Sequence, residues 1–208
     1  MCVPAREAHS IPRLAGAPGH VEIAGSNAAA KLVADVAAVK TDTCLALMVG
    51  YEGAPAPLLP FDGATLRGSD EIAWVALDSA KPGRARPDGA QCIVALAAPA
   101  LSAKLAPRAA DGSLPPQTPE MLAALAPVLH DALRRALAAA GVQLPEPAYI
   151  QAHRWGSAFP SQPVGSTCLR ADAARLAACG DFCLGGGVEG AVISARAAAD
   201  AIRQHFES

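Results

Sequence analysis

The residues most able to do chemistry are gathered in CGDFCLGGGVEGA, from Cys179 to Ala191. Gly185, Gly187 and Gly190 spell G-x-G-x-x-G, and Gly180-Asp181 stand just before them between two cysteines, Cys179 and Cys183. A dinucleotide fingerprint needs a strand before the glycines, a helix after them, and a second parallel strand carrying an acid about 20 residues further on. RLAACGDF reads as the strand and the run from Val188 as the helix, but too little chain follows Gly190 for the second strand. The complete fingerprint is therefore not expected. The cysteine spacing fits neither a zinc ligand pair nor a C-x-x-C redox centre, and the histidines (His9, His20, His130, His153, His205) are scattered. Both thiols are expected to be buried packing groups, with no metal site. What the stretch can offer is a helix start with unpaired N–H groups, glycines that let a ligand approach, and a carboxylate that accepts from hydroxyls. A plain strand-to-helix turn explains the spacing equally well.

The elements that must position this turn follow from the hydrophobic pattern. SNAAAKLVADVAAVK, from Ser26, reads as a helix capped by Ser26. CLALMVGYE (Cys44 to Glu52), IAWVALDSA (Ile72 to Ala80) and QCIVALAA (Gln91 to Ala98) read as strands, the last two joined in hairpin fashion through KPGRARPDG. Thr118 caps a long helix with Pro119 at its first position. Leu122, Leu125, Leu129, Leu133 and Leu137 line one face, Pro127 is expected to kink or split it, and Gly141 closes it. PAYIQAHRW returns as a strand, and the last helix is expected from about Val188 to Phe206. Its apolar face is read as Val188, Ala191, Val192, Ala195, Ala198, Ile202 and Phe206, with Glu189, Arg196, Asp200 and Arg203 turned away. The fold class is α+β, with a mostly antiparallel sheet, a long helix laid on it, and a terminal strand, glycine turn and helix. The expected organisation is an irregular segment over 1–25, a substrate-domain-like region over 26–165 and a C-terminal element over 166–208.

Composition narrows the function. The chain has 208 residues, 52% hydrophobic and 17% charged, with a net charge of −2. Such a chain is globular, and the absence of a basic stripe argues against nucleic-acid binding. The most apolar run, Ala90 to Pro107, is broken by Pro99 and Lys104, so no membrane span is expected. MCVPAREAHSIPR has no apolar signal region, and the six cysteines lack dense spacing, which together predict a soluble, intracellular protein with reduced thiols.

Gly180-Asp181 followed by GGGVEGAVISA resembles the C-terminal flavin-contact motif of FAD-dependent amine-oxidase-like proteins, close to their renalase-like branch. LALMVGYE, PFDGA (Pro60 to Ala64), IAWVALDSAKPGR (Ile72 to Arg84) and YIQAHRW (Tyr149 to Trp155) resemble that branch in the same order, covering roughly residues 40 to 206. The resemblance implies an oxidoreductase that passes hydride between a small-molecule substrate and flavin N5, the protein positioning and tuning the cofactor. It places Gly180 and Asp181 at the ribityl or pyrophosphate part of FAD, and the backbone of Gly187, Val188, Glu189 and Gly190 at the O2 edge of the ring. Arg154 and Trp155 become substrate-side candidates, Arg154 pairing with an acidic substrate or a structural carboxylate and Trp155 walling the cavity. No catalytic side chain is implied. Two positions depart from the branch: Gly156-Ser157 stand where a bulky basic-aromatic pair is common, and Gly187 where arginine is usual.

The branch also carries an N-terminal βαβ unit that holds the ADP part of FAD. GAPGHVEIAG (Gly16 to Gly25) has the wrong spacing for it. The chain is thus expected to represent the C-terminal portion of such an enzyme, binding FAD poorly by itself and completed by a flavin-domain segment. The competing expectation is a non-catalytic substrate-domain remnant that serves as a binding or interaction module.

Overall fold

A computed structural model describes residues 27–53 and 56–207, the side chains of 205–207 excepted. The irregular segment, the Ser26 cap and GAPGHVEIAG fall outside the described residues. Two compact units emerge, one made of residues 43–156 and the other of 27–42 with 157–207. The helix after Ser26 therefore belongs with the C-terminal element.

The strands are β1 (Thr41–Tyr51), β2 (Gly63–Thr65), β3 (Ile72–Leu77), β4 (Gln91–Ala97), β5 (Tyr149–Pro160), β6 (Leu169–Ala171) and β7 (Leu176–Ala178). The helices are α1 (Asn27–Ala37), α2 (Pro99–Leu105), α3 (Pro119–Ala138) and α4 (Val188–Glu207). Five strands form one sheet in the order β2-β3-β4-β1-β5, and β6 and β7 pair as a separate antiparallel hairpin. β3 and β4 pair antiparallel, as the Pro/Gly-rich connection between them predicts, and β1 lies antiparallel to β4 with Ala46 opposite Leu96 and Val49 opposite Ile93. The α+β, antiparallel expectation holds.

The larger unit is built by alternation. Leu45, Leu47, Val49 and Tyr51 of β1 point to one face, where they meet Ile93, Ala95 and Ala97 of β4 and Leu125, Leu129, Leu133 and Leu137 of α3. The period-2 strand and the period-3.6 helix therefore share one core. Both ends of α3 are fixed by local chemistry. Thr118 Oγ1 accepts from the Met121 N–H at 3.2 Å. At the other end Gly141 takes φ 79°. There the Val142 N–H reaches the Leu137 carbonyl and the Gly141 N–H the Ala138 carbonyl, both at 3.0 Å, a Schellman closure that only a left-handed residue permits. Pro127 does not split α3, which runs unbroken past it. Pro127 is exposed, so the carbonyl one turn back that loses its donor can be hydrated.

Inside this core Tyr51 Oη and His130 Nε2 lie 3.0 Å apart, both nearly sealed from solvent. Burial, then the nearby Arg134, lowers the His130 pKa below its ordinary 6.5, with Asp131 and Glu146 opposing. Folded His130 thus holds its proton less tightly than an unfolded imidazole. Its contribution to stability is fully present above about pH 6.5 and is lost as the pH falls below that value. An NMR titration of the imidazole is expected to give a midpoint below 6.5. A midpoint at or above that value would refute the coupling.

Candidate functional site: the glycine turn before the last helix

In the smaller unit β7 ends at Ala178 and the chain passes through a single 3-10 turn, Asp181–Cys183, before α4 begins at Val188. Gly180 is extended, and its glycine identity comes from packing: a Cβ there would sit 2.8 Å from the ring of the buried Phe182. Its N–H donates to Ser194 Oγ at 3.0 Å, and Ser194 is completely buried on α4. That bond ties the strand end to the helix. The Gly185 N–H returns to the Asp181 carbonyl at 2.8 Å, while the Val164 and Gly165 N–H groups donate to the carbonyls of Phe182 and Cys183, both at 2.9 Å. The turn is therefore held from within and by the preceding loop.

Gly187 caps the helix. Its carbonyl accepts the first helical bond, from the Ala191 N–H at 3.1 Å, and it lies at φ 147°, a conformation glycine alone adopts without strain. A glycine cap has no side chain to satisfy the first N–H groups of the helix, so among the described residues those of Val188, Glu189 and Gly190 have no partner at its positive end. No heavy atom of the described residues lies within 4 Å of where a Cβ on Gly187 would project, and Val188 is 82% exposed. Gly190 is constrained in another way. A Cβ there would fall 2.6 Å from the Gly185 carbonyl oxygen, so the loop backbone lies directly on the first turn. The spacing from Gly185 to Gly190 is thus a packing requirement. Asp181 is half-buried at the start of the 3-10 turn, and Glu189 is exposed in the first turn of α4.

The structure brings Gly180, Asp181 and Gly187 to Gly190 together in this unit. The cysteine expectation is half corrected: Cys183 is fully buried, but Cys179 is exposed, because it follows the last residue of β7 before the turn folds back. Among the described residues no group of three or more His, Cys, Asp or Glu side chains is placed to hold a metal ion.

The expected face of α4 is corrected too. Ser194, Ala198 and Ala201 are buried, while Val188, Val192, Ile193 and Ile202 are exposed. Only small side chains let the helix come close enough for Ser194 to reach the Gly180 N–H. Ser194 is the partner of the turn that periodicity misses, although a serine within the stripe Ala191, Ala198 and Ala201 is its trace in the sequence.

Arg154 and Trp155 lie on β5 in the larger unit. The Arg154 guanidinium is buried and donates to the Pro115 carbonyl at 2.6 Å and to Met121 Sδ at 3.7 Å, fixing the approach to α3. Its partner is a carbonyl and not a carboxylate. Trp155 is 55% exposed and stands edge-on to His153, ring centroids 4.5 Å apart. His153 is also within 3.5 Å of Gln117 Nε2.

Among the described residues the start of α4 thus combines helical N–H groups without a capping side chain, clear space beyond Gly187, and a carboxylate at the adjoining turn. Comparison with known proteins gives the fold alone. No protein-family model and no curated protein matches the sequence. Among solved structures the chain is similar to a "Putative protoporphyrinogen oxidase" from Exiguobacterium sp. 255-15, at 14% identity and TM-score 0.55. The match covers 99% of this chain and 40% of that one, so the chain has the fold of part of that protein and spans two-fifths of its length. No helix among the described residues is long and apolar enough to cross a membrane.

Proposed function

We propose that this chain is the substrate-domain and flavin-contact portion of an FAD-dependent oxidoreductase of the amine-oxidase or renalase-like type, acting on a small-molecule substrate. The observation that carries the proposal is the uncapped, glycine-flanked start of α4 beside Asp181, in a chain folded like part of an oxidase. The cofactor, when bound, supplies the hydride acceptor or donor at its N5. The N–H groups of Val188, Glu189 and Gly190 would stabilise negative charge on the flavin ring, and the Asp181 carboxylate would accept from ribityl hydroxyls. The Glu189 carboxylate opposes that charge and keeps the stabilisation modest. On this reading a flavin-domain segment, which the family resemblance implies, would hold the adenylate half.

Flavin fragments test this on the chain itself. Riboflavin and FAD are expected to bind weakly and within about threefold of each other, since the adenylate half gains nothing here. Asp181→Ala is expected to weaken riboflavin about tenfold, the loss of one charge-assisted hydrogen bond, and to leave lumiflavin, which has no ribityl chain, unchanged. Quenching of flavin fluorescence reads both. Tight, stoichiometric FAD binding would remove the need for a second segment, and equal losses for riboflavin and lumiflavin would remove the role of Asp181.

A further inference from the structure

The β6–β7 hairpin carries an unusual residue at its tip. Arg175 has φ 53° and ψ 41°, the left-handed conformation that a hairpin position of this kind normally gives to glycine or asparagine. Among the described residues with side chains it is the only one with positive φ. Such a conformation costs about 1 kcal/mol and points to a role for the side chain that glycine could not fill. The tip is otherwise well made, since the Arg175 N–H closes on the Asp172 carbonyl at 3.0 Å.

Arg175 lines a cleft of about 50 Å³ between the hairpin and α4. Leu176, Ala177, Ala201 and Ile202 form its apolar wall, and Arg170, Asp172 and Arg175 its polar rim. Two of these three charges cancel, because Arg170 Nη2 is 2.9 Å from Asp172 Oδ1. The Arg175 guanidinium has no ion pair or hydrogen bond with any described residue, so among the described residues the rim carries one uncompensated positive charge and a planar set of donors suited to a carboxylate. The cleft holds roughly three or four water-sized groups, enough for a short hydrocarbon stem.

We propose that this cleft binds a small aliphatic carboxylate, the stem lying against Leu176 and Ile202 and the carboxylate on Arg175. The site is separate from the flavin turn and does not rest on the flavin assignment.

The test is a titration of the full chain with butyrate, followed by amide NMR shifts, alongside n-butanol and inorganic phosphate. Butyrate is expected to shift the amides of Leu176, Ala177 and Ile202 at millimolar concentration and to bind at least about fivefold better than either control, since only butyrate supplies both stem and charge. Arg175→Gly suits the left-handed backbone, so it is expected to fold at least as stably while weakening butyrate about fivefold. Arg175→Lys separates charge from planar recognition and is expected to restore only part of the affinity. Butyrate binding unchanged in Arg175→Gly, or phosphate or butanol binding as well as butyrate, would overturn the proposal.

Discussion

Gly190→Ala is expected to destabilise the smaller unit by about 2 kcal/mol, although alanine is the better helix former by about 1 kcal/mol. The added methyl would lie 2.6 Å from the Gly185 carbonyl oxygen, which is backbone and cannot rotate away. Relief requires moving the loop, and that loop is held by the bond from the Gly185 N–H to Asp181 and by those from Val164 and Gly165 to the 3-10 turn. Overpacking of this kind costs about 1–3 kcal/mol, at the upper end where the obstacle is backbone. Thermal unfolding followed by far-UV circular dichroism checks it. A variant as stable as the parent would mean that the loop yields freely, and Gly190 would then be glycine for a ligand's sake and not for packing.

Leu133→Ala is expected to cost about 3 kcal/mol in the larger unit. Leu133 is fully buried in the core shared by α3 and the sheet, and it lies one helical turn from both Leu129 and Leu137, which are equally enclosed. Truncation removes the transfer energy of three carbon atoms and leaves a void that rigid neighbours refill only in part. The same substitution at Leu122, which only borders the core, is expected to cost roughly half as much. Denaturant titration of both variants gives the comparison. Equal losses would contradict the placement of Leu133 at the centre of this core.

The α3 helix was legible because its signals are local. Thr118, Pro119 and Gly141 act on backbone groups within a few residues, so their types alone define both ends. Pro127 is expected to kink or split the helix and does not split it: its penalty depends on whether the freed carbonyl meets water, and exposure is not written in the sequence. The short strands β2 and β6 have three residues each, too few for a period to show, whereas the equally short β7 falls within RLAACGDF, which reads as a strand; α2 lay hidden inside an apolar run that reads first as strand. In the candidate site the glycines announced a turn. Which glycine caps α4, which one yields to a ring and which one to a carbonyl came only from the coordinates. The face of α4 was misread because its pattern holds two stripes, one of small residues and one of large. Only the close approach demanded by Ser194 selects the small one.

The two tryptophans, Trp74 and Trp155, both lie within residues 43–156. Neither indole lies in the glycine turn, α4 or the hairpin, so indole emission reports directly on the larger unit. A fluorescence melt of this chain can look like a single clean transition while the smaller unit opens unseen at another temperature. Leu133→Ala falls in the unit that carries that signal, and Gly190→Ala falls in the unit without an indole. Trp155, more than half exposed, is also the indole that iodide should quench first. Its emission offers an optical window on β5 that needs no added label.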